Sequence, residues 1–380
     1  MTLYLDNAAT SWPKPKAVHE AVLHALRDIG ASPGRASHRM AREAQRLVDG
    51  ARRVVADLFK IRDPGRVVFT GNATESINVV LKGWLRPGDR VVISSLEHNA
   101  VARPLKTLEA VGVRVERIPC GPGGELDLQW LRRRMSPPPR LVVLLHASNV
   151  NGGLLPVTEA SRICDENGVP LLLDAAQTAG LQPIDVQTLN IGMLACSGHK
   201  ALLGPAGVGI LYVRPDLEVR PLMEGGTGSR SEELTQPEAC PDRFESGTVN
   251  LPGIAGLAAG VEHIVEKGVE TILAHELHLA ALLEEGLAAM PGVHVLAPLH
   301  RGTGVVSFRA DHLNPSDIGF ILDEGFDIAV RTGLHCAPLA HQALGTYPEG
   351  TVRISPGYAT TESDVERLLD AVASIVSRRL

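Results

Sequence analysis

The feature that most constrains the fold is an alternation. Short apolar, β-branched or leucine-rich runs recur along the first half of the chain, and helix-like amphipathic stretches lie between many of them. The runs are RVVF (66–69), RVVIS (90–94), VRVERI (113–118), RLVVLLH (140–146), PLLLD (170–174), GMLAC (192–196) and GVGILYV (207–213). Several are continuously apolar rather than alternating, which predicts strands covered on both faces. Helical segments are expected at 72–84, 98–111 and 157–168. Strand and helix in alternation predict a mainly parallel sheet with right-handed crossovers. After about residue 255 the pattern changes. A long helical region (254–290) precedes GVVSFRA, FDIAVRT and TVRIS, with helices near 315–324 and 361–379. That predicts a smaller α+β domain. Segment 224–250, rich in Gly, Ser, Thr and Glu, reads as loops around a site.

Composition excludes several classes. A chain of 380 residues suits two domains, and its net charge of −6 offers no basic footprint for nucleic acid. Aromatic residues, at 3%, are too few for a base-stacking platform. No apolar run is long enough to span a bilayer, and the first residues lack the pattern of a secretory signal. The five cysteines, Cys120, Cys164, Cys196, Cys240 and Cys336, are scattered and odd in number. They predict free thiols in a reducing, cytoplasmic setting rather than a disulfide framework.

Ligands of open α/β sheets bind at the carboxyl ends of strands, so the residues just after the runs matter most. After VVF, Gly71-Asn72-Ala73-Thr74 opens a helix, where free N–H groups suit a phosphate, although the same residues make an ordinary helix cap. After RVVISS comes Glu97-His98; the histidine suits stacking on a flat ring or acid–base work, or merely a capping loop. Asn149 lies in SNVNGG, where asparagine is commonly structural. Asp174 ends an apolar strand, and a buried carboxylate needs a partner. Lys200, in SGHKALLGPAGVG, follows Ser197 and His199 and precedes a glycine-rich turn; most lysines are simply solvated. Each signal is weak alone. Together a phosphate cradle, a carboxylate and a lysine are the parts a pyridoxal phosphate site needs.

These motifs carry a resemblance. YLDNAAT, TGNATESIN, EHNA, SNVNGG, DAAQTAG, SGHKALLGPAGVGILY, RFESGTVN, RTGLHCAPL and TVRISPG together resemble the class V aminotransferase family of fold-type I pyridoxal phosphate enzymes. Among these the chain is most similar to the cysteine desulfurases with a compact catalytic loop. The resemblance implies a large α/β domain over 15–255 with a mainly parallel seven-stranded sheet, and a small α+β domain from 1–14 and 256–380. It implies pyridoxal 5'-phosphate held covalently by Lys200, with Asp174 on the ring nitrogen, Gln177 on the ring hydroxyl and His98 on the ring face. Ala73, Thr74, Ser197 and His199 would bind its phosphate, and Thr248 would reach the phosphate of a neighbouring subunit in a homodimer. Asn149 and Arg353 would hold the substrate carboxylate, and Arg331 would line the pocket. Cys336 would take sulfur from L-cysteine as a persulfide, leave L-alanine, and pass the sulfur to an acceptor or iron–sulfur scaffold protein. The other four cysteines are expected to be buried and inert. Selenocysteine lyase and true transaminase activities share this site. A zinc hydrolase or binding protein built on Cys196, His199, His335 and Cys336 is the reading from outside this chemistry; otherwise no metal is expected.

Overall fold

The computed structural model describes residues 2–34 and 37–377. The chain begins with β1 (Leu3–Tyr4), α1 (Lys16–His24), α2 (Arg39–Phe59), β2 (Val67–Thr70), α3 (Ala73–Trp84), β3 (Arg90–Ser94) and α4 (Asn99–Glu109). It continues through β4 (Arg114–Ile118), α5 (Leu128–Arg133), β5 (Leu141–Leu145), α6 (Val157–Glu166), β6 (Leu171–Asp174), β7 (Met193–Ser197) and β8 (Gly209–Val213). Then come α7 (Leu251–Lys267), α8 (Val269–Ala288), β9 (Val293–Val295), β10 (Val306–Ala310), α9 (Pro315–Phe326) and β11 (Ile328–Ala329). The last elements are β12 (Arg331–Gly333), α10 (Pro338–Ala343), β13 (Thr351–Ile354) and α11 (Glu362–Ser377).

All seven runs form one sheet, in the order β2-β8-β7-β6-β5-β3-β4. β8 runs antiparallel to both neighbours, and the other pairs are parallel. Every residue of β5 to β8 is buried, because both faces are covered. The two-residue pleat divides each run between two cores. Val142, Leu144, Leu171, Leu173 and Leu194 pack with Val48 and Val55 of α2, Ile163 of α6 and Leu257 of α7. Leu141, Val143, Leu172, Met193 and Ala195 pack with Ile77 and Leu81 of α3 and Leu105 of α4 on the other side. Truncating one such leucine to alanine costs about 2–5 kcal/mol, which explains why these runs show no polar alternation.

A second sheet, β12-β13-β10-β9, is antiparallel and lies against α8, α9 and α11. Leu3 and Leu5 join this core from the other end of the chain, where β1 pairs in parallel with β11.

Several boundaries differ from expectation. The helical region 254–290 is two helices, parted at Gly268, whose φ of +88° an ordinary residue rarely adopts. FDIAVRT is not one strand: Phe326 ends α9, and Val330 separates β11 from β12, which belong to different sheets. β9 carries only three residues and was not expected. The last helix begins at Glu362, and positions 378–379 of the expected helix lie outside the described residues.

Candidate active site

The ends of β2, β3, β5, β6 and β7 meet at one cleft with about 420 Å³ of empty volume. It is lined by Ala73, Thr74, His98, Asn149, Asp174, Gln177, Ser197 and Lys200, all expected from the sequence. Each is placed by local chemistry. Asn72 caps α3 by accepting from Glu75 N at 3.0 Å, while Glu75 Oε2 accepts from Gly71 N at 2.6 Å, a reciprocal cap that fixes the helix start. Ala73 N then donates to Ser197 Oγ at 3.2 Å, joining this helix start to the end of β7. His98 is both cap and lining residue: its Nδ1 accepts from Ala100 N at 3.0 Å. That bond leaves the ring proton on Nε2. Burial, reinforced by the charges of Lys200, Arg331, Arg353 and Arg103, pushes this histidine down to about 4, so the ring is neutral.

Asp174 is buried, and Ala176 N donates to its Oδ1 at 2.9 Å. Burial pushes its carboxyl above the usual range. Among the described residues it forms no ion pair, so it suits an N–H cation brought by a ligand. Burial also pushes the Lys200 amine down to about 8, while the Asp174 charge opposes the change. Behind them lies Glu97, a residue to which the sequence pattern assigns no role. It has no exposure; its Oε1 accepts from Ser94 Oγ at 2.6 Å and from Leu145 N at 3.0 Å, and its Oε2 has no partner. Burial raises it to about 8, with the Asp174 charge adding to the effect, so Glu97 is neutral beside an aspartate.

The cysteine loop joins the cleft from the second sheet. Asn99 N donates to Cys336 O, and Asn149 Nδ2 donates to His335 O, each at 2.8 Å. Arg331 Nη2 lies 3.2 Å from Cys336 Sγ, and Arg331 and Arg353 are register partners across β12 and β13. The cationic neighbour of Cys336 is Arg331, not His335. The His335 ring faces Thr351 Oγ1 at 2.8 Å, and burial pushes it down to about 2. Arg353 is buried; it donates to Asp6 Oδ1 at 2.6 Å and to Asn149 O at 3.1 Å, and its Nε has no partner.

Cys336 is exposed, and Cys164 and Cys196 are buried with burial raising both thiols. Cys120 and Cys240 are partly exposed, contrary to expectation. Thr248 does not line the cleft; it sits in a separate groove with Arg52, Asp242 and Glu245. No three His, Cys, Asp or Glu side chains among the described residues gather as metal donors, so the zinc set is not assembled. No described helix is long and apolar enough to cross a membrane.

The residues fit pyridoxal phosphate. Asp174 offers a buried anion without a counter-ion, the α3 start offers N–H groups, and buried polar atoms wait without partners at His199 Nδ1 and Asn149 Oδ1. Known proteins resemble this chain over nearly its whole length. The aminotransferase class-V family model matches residues 3–368. A probable cysteine desulfurase of Methanothermobacter thermautotrophicus is 33% identical, over 98% of this chain and 94% of its own. A cysteine desulfurase of Escherichia coli O127:H6 is 36% identical, over 98% of this chain and 93% of its own. The apo structure of a cysteine desulfurase from Thermococcus onnurineus superposes with a TM-score of 0.92 at 34% identity, covering 99% of this chain and 95% of that one. The fold, the cleft and these relatives agree: the chain belongs to the class V aminotransferase family.

Proposed function

We propose that the protein is a pyridoxal phosphate-dependent cysteine desulfurase that takes sulfur from L-cysteine onto Cys336. The observation that carries the reading is an exposed thiol, Cys336, beside the Arg331 guanidinium and tethered through two carbonyls to the rim of the Lys200 cleft. When bound, pyridoxal phosphate supplies an electrophilic carbon and a ring that accepts electrons. Lys200 Nζ, with its affinity for protons reduced, serves as the covalent anchor and then moves the proton at the substrate Cα. Asp174 holds the proton on the ring nitrogen. Neutral His98 presents a flat face without competing charge. Arg353, with Asn149, orients the substrate carboxylate. The Cys336 thiolate attacks the substrate sulfur; the substrate C–S bond breaks, a protein S–S bond forms, and the protons released restore L-alanine. Cysteine plus thiol thus balances alanine plus persulfide, with no outside oxidant.

The persulfide then passes to an acceptor thiol or scaffold protein, and a reducing compartment such as the cytoplasm suits an exposed thiol that must stay free. The family resemblance implies a homodimer, in which Thr248, away from the cleft of its own chain, would complete the partner's phosphate site.

The test is mass spectrometry of the Cys336 peptide after the purified protein meets L-cysteine without reductant. One added sulfur with stoichiometric alanine is expected, and Cys336→Ala should abolish both. Alanine from selenocysteine at an unchanged rate in Cys336→Ala, with no turnover of cysteine by the wild-type protein, would assign the selenium reaction instead.

A further inference from the structure

The carbonyl oxygen of His199 meets more donors than its two lone pairs accommodate. Thr10 Oγ1 lies at 3.1 Å, Ser11 N at 3.0 Å, Ser11 Oγ at 3.2 Å and Lys14 Nζ at 2.8 Å. Ser11 Oγ is also 2.8 Å from Lys200 O, and Lys14 Nζ is 2.7 Å from Ser11 Oγ. A hydroxyl has one hydrogen, so the shorter contact assigns it to Lys200 O, and its lone pair accepts from Lys14. Local turn formation does not require this. Leu203 N already closes the turn onto Lys200 O at 2.9 Å.

Lys14 is unusual in its own right. It is partly buried, burial pushes its amine down to about 8, and among the described residues no carboxylate pairs with it. Keeping a cation from water without a counter-ion is costly, and here its donors go to backbone carbonyl and hydroxyl oxygens beside Lys200. The same N-terminal strap touches other cleft residues. Asp6 holds Arg353, and Ala8 O accepts from Gln177 Nε2 at 3.1 Å.

We propose that Ser11 and Lys14 are positioning residues for Lys200: by clamping the His199 and Lys200 carbonyls they set the direction from which its amine meets a bound carbonyl group. The inference rests on the reading of Lys200 given above. A strap that merely docks the N-terminus contributes stability alone; a clamp alters the behaviour of the amine.

The experiment uses full-length Ser11→Ala, Lys14→Met and Lys14→Arg proteins loaded with pyridoxal phosphate. The visible absorbance of the lysine-bound cofactor is titrated with pH, and L-cysteine kinetics and thermal midpoints are measured alongside. Lys14→Met should lower kcat about tenfold with KM changed less than about twofold, and move the spectral midpoint by about half a pH unit or more. Ser11→Ala should act in the same direction, and Lys14→Arg, which keeps charge and donors, should recover most of the loss. Lower thermal midpoints with unchanged kcat and spectral titration overturn the proposal. Should Lys14→Met fail to fold, Ser11→Ala, which loses one oxygen, decides by the same readouts. A wild-type protein that develops no visible band sinks the site reading and this inference together; a normal wild type with unshifted variants sinks the inference alone.

Discussion

Lys200 and Asp174 show how burial and charge divide the work at a single residue. The amine falls to about 8 because its charged form is desolvated, and the aspartate across from it limits the fall. In the apoprotein the free amine is the reactive form. Reductive alkylation of Lys200 by a small aldehyde should therefore climb through pH about 8, well below the ordinary lysine range. Asp174→Asn removes the anion that favours the charged form, so the midpoint should move lower; a move upward would contradict that through-space effect. The sequence displayed Lys200, Asp174, His98 and Cys336 because each follows a strand or sits in a distinctive motif. It assigned no role to Glu97, although EHNA contains it. Glutamates are mostly exposed, and only the folded chain shows this one enclosed between β3 and β5.

At the level of elements, α7 and α8 carry the informative positions. A Cβ on Gly260 would come within 2.4 Å of Leu202 O and 3.0 Å of Gly204 N. The glycine therefore lets α7 lie directly on the turn that follows Lys200. Gly260→Ala should destabilise the protein by roughly 1–3 kcal/mol. It should also speed cofactor loss, measured by dialysis and absorbance, because the turn must yield. On α8, Glu276 is buried and raised to about 8 from an ordinary 4.5. Below the lower value it is neutral in both states. Between the two values the unfolded chain releases the proton while the fold retains it, so stability declines as pH rises across that window. Glu276→Gln should therefore gain stability over wild type as pH rises from about 5 to 8, by about 1.4 kcal/mol for each pH unit at most. Equal denaturant midpoints for the two proteins across that range would refute the burial argument. Neither residue announces itself in the sequence: helix periodicity shows a face, not what lies against it.

For the whole molecule, the groove that holds Thr248 lies apart from the cleft, and the proposed dimer, which rests on the family resemblance, would carry Thr248 to the site of a second subunit. Light scattering should give twice the mass of one 40.5 kDa chain. Thr248→Val should weaken pyridoxal phosphate retention without changing that mass; a monomer with full retention would remove the second subunit from the site. The middle of the large sheet was legible in the sequence because strands buried on both faces, as β5 to β8 are, must be apolar throughout, and short-range pattern alone reports this; the edge strand β4 keeps Arg114, Glu116 and Arg117. So were the strand-end residues, since an open α/β sheet gathers its ligand groups there. What pattern left unresolved is whatever distant segments decide. Gly268 parts a continuous helical periodicity, and Val330 divides one apolar run between two sheets. Leu3 and Leu5 join a core formed mainly by residues 279–375, and Asp6 meets Arg353 across the length of the chain. The sequence by itself determined which residues could bind and react, because side-chain chemistry and local periodicity are written in neighbouring positions. Only the tertiary structure decided which of them are desolvated and what holds them in place, because burial and hydrogen-bond partners come from segments far apart in the chain.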